Sequence, residues 1–325
     1  MKKTAAAPSN IAFTKYWGKK DEDLRIPENG SISMNLSNLL TTTTVEFSDK
    51  YKKDEVSIGV HLEGVASERV VRHLDRVRKL ANIQTKAKVV SRNNFPTGTG
   101  LSSSASGFAA LTIAASNAAS LHLSEKELSI LARHGSGSAC RSIPSGFVEW
   151  LDGKTNDTSY AVQIFEVDYW DIADIVAIIS NEKKDVPTSI GQKTARSSPF
   201  LKVRLSQMKE KNEMIKTLIK KRDFEKFGEL VEQEALELHA IMLTQTPPLI
   251  YWLPGTVSVM KAVQKWRQEG LHVYFTINTG QDVHLICQQK DKEKVARLAK
   301  ELSVVRDVII NTPAHGARLV ENHLF

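Results

Sequence analysis

The sequence predicts a two-domain α/β chain, and three observations lead there. Its 325 residues are enough for two domains of ordinary size. A strand-rich first third gives way to a more helical remainder. The composition shifts near residues 181–200, where Lys183, Lys184, Pro187, Gly191 and Pro199 fall close together. The expected division is 1–185 and 186–325.

Thr41 to Phe47 is dense in β-branched residues and reads as a strand. Lys86 to Val90 is a second, ending at the turn-like Asn93-Asn94. Phe95 to Gly100 is a loop by its proline and glycines. Ser102 to Ser120 is alanine-rich, which suits a tightly packed, buried helix. Ser124 with Glu127 three residues later forms a capping box that starts another helix. Ile175 to Ile179 is a buried strand. From Asp223 onward, Phe224, Phe227, Leu230, Val231, Ala235 and Leu238 mark an amphipathic helix, stopped by Pro247-Pro248. Ser258 to Gln268 is a helix ending near Gly270. Val273 to Ile277 and Val283 to Cys287 are strands around a Gly280 turn, and Lys294 to Leu302 is a final helix.

Hydrophobic residues at 41% and charged residues at 25% exclude a fibrous or disordered chain. No apolar run approaches the ~20 residues that cross a bilayer. Lys2 and Lys3 are not followed by a long apolar stretch, so no secretory signal is expected. Two cysteines cannot build a disulfide framework. A reduced, cytoplasmic protein is expected. Lys plus Arg at 44 against Asp plus Glu at 37 gives a net charge of +7. These charges are mostly interleaved, as in Lys209-Glu210-Lys211, which marks solvated helix faces. No nucleic-acid-binding pattern stands out. A basic pocket for a small, highly anionic substrate also fits the charge.

Three segments carry chemistry. In Pro96 to Gly107 a glycine loop runs into a helix start; glycines allow close backbone approach, and free amides at a helix N-terminus attract anions. The bland alternative is a serine-capped helix after a turn. The Walker lysine is missing, as is the third glycine of a dinucleotide fingerprint. Gly135 to Ser142 again mixes glycine and hydroxyls, and Arg141 could grip a carboxylate or phosphate bidentately; otherwise it is a surface turn. Asn10 to Lys20 sets Lys15 and Lys19 four residues apart with Tyr16 and Trp17 between. It could address a phosphate chain or be an edge strand guarded by lysines.

Together these segments resemble the diphosphomevalonate decarboxylase family of the GHMP kinase superfamily. Further matches are Gly146 to Trp150, His239-Ala240, Thr246 to Pro248 and Tyr274 to Gly280. The resemblance implies an N-terminal mixed sheet-helix domain and a C-terminal antiparallel sheet with helices. The active site would lie in the cleft between them. It implies that ATP and Mg²⁺ phosphorylate the 3-hydroxyl of 5-diphosphomevalonate. Phosphate and CO₂ then leave, giving isopentenyl diphosphate. By motif, Gly98, Gly100, Ser102, Ser103 and Ser104 would hold the ATP phosphates, with Ser104 on the metal. Lys15 would sit by the reacting hydroxyl. Tyr16 and Lys19, with Ser138, would hold the substrate diphosphate. Arg141 would grip the C1 carboxylate, and Thr188 would lie near the substrate. The family's common state is a homodimer.

Two positions depart from the family pattern. Ser189 stands where some bacterial members have an arginine for the diphosphate, which leaves open diphosphate against monophosphate. Asn278 stands where the family reads Asp-Ala-Gly-Pro-Asn. An amide can orient a hydroxyl but cannot take its proton as a carboxylate does. The chain is then an engineered variant, a natural one using another group, with Asp282 the nearest, or a relative with another substrate or with binding only. A 5-phosphomevalonate decarboxylase and a 3-kinase remain alternatives. No histidine pair has metal spacing, and Cys140 reads as a packing residue.

Overall fold

The structure, a computed structural model, describes residues 1–59 and 65–325. In chain order the first part holds β1 (Lys2–Ala12), a small hairpin of β2 (Lys19–Asp21) and β3 (Ile26–Pro27), β4 (Ser31–Phe47), β5 (Glu55–Ile58), α1 (Val65–Ala81), β6 (Ala87–Asn93), α2 (Ser103–Ala118), α3 (Glu125–Gly135), β7 (Phe147–Trp150) and β8 (Ala161–Phe165). There follow β9 (Ile172–Ile178), α4 (Thr188–Gly191), α5 (Leu201–Lys221), α6 (Phe224–Thr244), α7 (Pro254–Gln268), β10 (Val273–Thr276), β11 (Val283–Gln288), α8 (Lys292–Glu301), β12 (Asp307–Asn311) and β13 (Arg318–Val320).

The first sheet runs β13-β1-β4-β6-β5, extended by β7 on β4 and β8 on β7. Among the described residues only β5–β6 is parallel. The second sheet, β10-β11-β9-β12, is antiparallel throughout. Thus β9 belongs to the second sheet although it precedes residue 185, and β13 returns to the first. The composition shift at 181–200 marks a connection along the cleft, where Lys183, Lys184 and Thr188 line a cavity. It does not mark the passage between sheets.

Small side chains explain how the first lobe packs. Ala5 and Ala7 of β1 share a core with Ala109, Ala110 and Ala114 of α2, so helix and strand approach closely. α2 is buried on nearly every face, as a helix apolar all round must be. Its Ser106 hydroxyl bonds to Thr41 Oγ1 at 2.6 Å rather than standing unpaired. The second lobe packs Val259, Val263 and Trp266 of α7 and Val295 of α8 on Ile175, Phe275 and Leu285. A further core joins the lobes. Ile11, Phe13, Ile32 and Met34 meet Phe227, Leu230 and Val231 of α6, with Phe13 edge-on to Phe227 at 4.9 Å. At about 1.5–3 kcal/mol per fully buried large side chain, this seam fixes the cleft geometry.

The sequence-predicted elements are present with shifted ends. The capping box at Ser124 is formed in both directions with Glu127. Asp223 caps α6, accepting from the Lys226 amide. α7 starts four residues ahead of Ser258 because Pro254 opens its first turn, where a missing N–H costs nothing.

Candidate active site

A cavity of about 290 Å³ lies between the lobes. Its wall carries six basic side chains, Lys15, Arg25, Arg69, Arg141, Lys183 and Lys184, and among the described residues no Asp or Glu. A concave site lined by one sign of charge concentrates an oppositely charged ligand, here a polyanion.

One wall is the start of α2. Gly98 (φ 83°) and Gly100 (φ 117°) take up the left-handed region that favours glycine. Ser102 caps α2 with φ 56° and makes no side-chain cap. Its hydroxyl accepts from Asn278 Nδ2 at 3.2 Å. The Ser103 and Ser104 hydroxyls line the cavity, beside helix-start amides that have no intrahelical acceptor. The opposing lobe closes onto this loop backbone to backbone. A Cβ on Gly100 would sit 2.7 Å from Gly280 Cα, and Gln281 N donates to Thr99 O at 3.3 Å. Gly280→Ala would push its methyl into the Thr99 carbonyl. It is expected to lower turnover about 100-fold, since small displacements at a reacting centre cost that much; steady-state ADP release checks it.

A second wall is the turn 137–142, which carries Ser138 and Arg141. Among the described residues the buried Arg141 guanidinium has no carboxylate partner. It donates to Asn10 Oδ1 at 3.0 Å and to Ser31 Oγ at 2.5 Å. Asn10 also donates to Ser142 Oγ at 2.8 Å and Ser138 O at 3.3 Å, so one buried amide positions both the arginine and its turn. Tyr16 stands edge-on to Trp150 at 4.7 Å. A Cβ on Gly137 would lie 2.8 Å from its hydroxyl, so glycine there makes room for the phenol.

The floor is Lys15. Its Nζ donates to Ala12 O at 2.6 Å and Asn278 Oδ1 at 3.1 Å. Burial, the largest influence, pulls its pKa well below 10.5; Glu234 opposes this and Arg141 adds to it. Asn278 Nδ2 also faces Asn10 O at 3.5 Å. The Asn278 backbone carbonyl accepts from or contacts His239 Nε2 at 3.0 Å. That ring is pushed down to about 3 by burial and so stays neutral. Lys184 Nζ donates to Thr188 Oγ1 at 2.6 Å and to Thr279, tying Thr188 to the Asn278 loop. Burial lowers Lys184 to about 8.

The structure thus gathers Lys15, Tyr16, Gly98, Gly100, Ser102, Ser103, Ser104, Ser138, Arg141, Thr188 and Asn278 around one cavity. Two expected residues lie elsewhere. Lys19 is outside the wall, because its ammonium pairs with Glu22 at 2.8 Å, one turn of the β2–β3 hairpin away. Asp282 is also outside. Its Oδ1 accepts from Ile179 N at 2.8 Å, and burial pushes its carboxyl up, so it braces the two strands rather than the cavity. Cys140 is buried and pushed up to about 12, an inert thiol.

Arg25, Arg69 and Gln192 were not legible as site residues. Arg25 and Arg69 anchor on consecutive carbonyls, His134 O at 3.1 Å and Gly135 O at 3.0 Å, just ahead of the 137–142 turn. Burial and the nearby Arg25 and Arg72 lower Arg69 to about 10. A second cavity of about 580 Å³ adjoins the first, sharing Gly98, Ser103, Ser104, Arg69 and Lys183. Ile58, Val70, Val89, Phe95, Phe108 and Leu111 give it apolar walls, which suit a flat heterocycle. No sequence signal pointed to it, because its residues come from five separate elements.

Among the described residues no group of three or more His, Cys, Asp or Glu could hold a metal ion. A hard divalent cation here therefore fits as an ion held chiefly by ligand phosphate oxygens, with the cavity-lining hydroxyls of Ser103 and Ser104 as protein oxygens. Among the described residues no helix is long and apolar enough to cross a membrane.

Comparison with known proteins agrees with this cleft. The family described as diphosphomevalonate decarboxylase-like N-terminal domain matches residues 7–161, and mevalonate 5-diphosphate decarboxylase C-terminal domain matches 174–317. The diphosphomevalonate decarboxylase of Candida albicans is 36% identical over 313 residues, which are 91% of this chain and 86% of that one. The phosphomevalonate decarboxylase of Haloferax volcanii is 34% identical over 310 residues, 95% of each chain. Mevalonate diphosphate decarboxylase from Staphylococcus aureus has a similar solved structure, with a TM-score of 0.93 at 37% identity over 98% of both chains. Another, MDDEF in complex with MVAPP, AMPPCP and magnesium, gives 0.93 at 35% identity over 99% of both. Likeness of this extent covers both lobes and the cleft they form, and the chain belongs to the diphosphomevalonate decarboxylase family.

Proposed function

We propose that this protein uses ATP with Mg²⁺ to decarboxylate 5-diphosphomevalonate to isopentenyl diphosphate through phosphorylation of the 3-hydroxyl. The observation that carries this is a cavity with six basic side chains and, among the described residues, no carboxylate, opening onto an apolar pocket, in a chain whose relatives include a diphosphomevalonate decarboxylase and a protein solved with MVAPP, AMPPCP and magnesium. The apolar pocket takes the nucleoside, and the α2 start takes its phosphates. Mg²⁺ would neutralise phosphate charge, and Ser104 would be the protein hydroxyl that helps hold it. Phosphoryl transfer depends on positioning and electrostatics more than on covalent help.

Each residue's part follows from its surroundings. Arg141, buried and among the described residues without a counter-ion, offers a planar fork to the C1 carboxylate. Releasing the carboxylate from that grip as CO₂ removes a charge the enzyme has paired. Phosphate on C3 is the leaving group, so the elimination needs no redox cofactor. Tyr16 and Ser138 would face the diphosphate, and Thr188, which Lys184 ties to the Asn278 loop, would lie near the substrate.

Arg25 and Arg69 take the place left by Ser189 and by the outlying Lys19. Arg25→Ala and Arg69→Ala are each expected to raise the KM for 5-diphosphomevalonate about 10–100-fold, the worth of one hydrogen bond to a charged group. The KM for ATP should change less for Arg25→Ala, since Arg69 alone also borders the nucleotide pocket. Initial rates at varied substrate check this.

A second reading, decarboxylation of 5-phosphomevalonate, is favoured by Ser189 and by the Haloferax volcanii relative. Parallel assays with the two substrates decide by kcat/KM. The reduced, buried cysteines support a cytoplasmic setting, and sedimentation tests the homodimer expected of the family.

A further inference from the structure

We infer that Lys15 is the group that accepts the proton of the substrate hydroxyl as that oxygen attacks phosphorus. This rests on the phosphorylation reading above. A hydroxyl that becomes a phosphate ester must lose its proton, yet among the described residues the cavity wall holds no Asp, Glu or His side chain. Asn278 is neutral, and Asp282 is bound to Ile179 outside the wall. The amide is also fitted to its place: its oxygen faces the Lys15 ammonium position, and its nitrogen faces Ser102 Oγ and the Asn10 carbonyl. A carboxylate there would turn an oxygen toward that carbonyl.

Lys15 has the geometry of an amine base. Its Nζ donates to two acceptors, Ala12 O and Asn278 Oδ1. With the carbon, these fill three of the four positions around nitrogen, so a free amine keeps both bonds and presents its lone pair at the fourth. Lys184, the other deeply placed lysine, donates to three oxygens, which with the carbon fill all four positions around nitrogen and leave none for a lone pair. The charged and titratable groups around Lys15 do not restore its proton. Glu234 of α6 is engaged by Arg204 of α5 at 2.8 Å and Lys211 at 3.0 Å. Asp174 of β9 is paired with His284 at 3.0 Å. Arg141 of the 137–142 turn repels a second cation. His239 is neutral. Burial then favours the free amine.

The step balances. The 3-hydroxyl oxygen forms a bond to the γ-phosphorus of ATP, and the bond from that phosphorus to the β,γ-bridging oxygen breaks, with its electron pair leaving on ADP. The hydroxyl proton passes to the Nζ lone pair. The resulting Lys15 ammonium faces the anionic groups of the phosphorylated intermediate and returns its proton to solvent after product leaves.

The test is the single-turnover rate of ADP formation from 5-diphosphomevalonate, measured between about pH 5 and 9 for the wild type and for Lys15→Arg. The expected wild-type rate falls about tenfold per pH unit on the acid side of one ionisation placed well below 10.5, the ordinary lysine value. Lys15→Arg, a permanent cation, should be slower by at least about 100-fold. It should lack that acid limb and still bind a non-hydrolysable ATP analogue. A rate independent of pH, an acid limb that persists in Lys15→Arg, or an Arg variant within about tenfold of wild type would overturn the assignment. If Lys15→Arg no longer binds the analogue, the wild-type profile decides alone. Absence of ADP from the wild type with either phosphorylated mevalonate would instead sink the phosphorylation reading itself.

Discussion

Replacing Glu234 with alanine is expected to destabilise the protein by about 3–5 kcal/mol, the cost of leaving a buried charge without its partner. The Glu234 carboxylate is fully buried in α6. It accepts from the Lys15 amide at 3.0 Å, from Arg204 at 2.8 Å and from Lys211 at 3.0 Å. Arg204 donates in turn to the Lys15 carbonyl at 2.8 Å. Among the described residues its Nε and second terminal nitrogen have no partner, so Arg204 has little to fall back on. The pair therefore clamps both sides of the Lys15 peptide, and turnover should fall with stability. Glu234→Gln, which keeps an acceptor for the amide, should lose less. Thermal melting of the three proteins at neutral pH checks the order.

The same carboxylate sets an acid limit. Burial, the largest influence, pushes its pKa up, but Arg204, Lys211 and the Lys15 amide outweigh it and hold it below 4.5. A folded-state pKa below the unfolded one contributes stability above the unfolded value. That contribution is lost as pH falls through the folded pKa. Melting temperature should accordingly drop in the acid range in wild type, with a smaller share of that drop left in Glu234→Ala.

Replacing Arg141 with alanine is the second large effect. Turnover should fall about 100-fold, the cost of losing the clamp that positions the reacting carboxylate. Affinity for an ATP analogue should be retained, because Arg141 does not border the nucleotide pocket. Arg141→Lys should not restore activity. An ammonium cannot reproduce the fork that reaches Asn10 and Ser31 together. Presteady-state ADP and CO₂ measurements separate the two steps: loss of CO₂ beyond loss of ADP assigns Arg141 to decarboxylation.

Where the sequence pattern was local, it was legible. Ser124 and Glu127 form their capping box, and Asp223 opens α6 as the periodicity predicts. The glycine-serine loop announced the start of α2 because backbone freedom and a free helix end leave a compositional trace. β1 left no such trace. Lys2–Ala12 is an interior strand between β13 and β4, buried along nearly its whole length, without alternation, and its alanines serve the close approach of α2. α5 was hidden by its charges: Arg204 and Lys211 look solvated in sequence but are buried against Glu234. Arg25 and Arg69 could not be tied to Ser138 and Arg141 by spacing, since only tertiary contact brings them to the carbonyls of His134 and Gly135. Lys19 matched its motif, yet Glu22 three residues on takes its charge.

The most direct measurement is a coupled assay with ATP, Mg²⁺ and 5-diphosphomevalonate that reports ADP and CO₂ together, with 5-phosphomevalonate in parallel. Equal amounts of ADP and CO₂, with higher kcat/KM for the diphosphate, are the expected result. ADP without CO₂, or no product from a protein that still binds both ligands, would contradict an ATP-dependent decarboxylase.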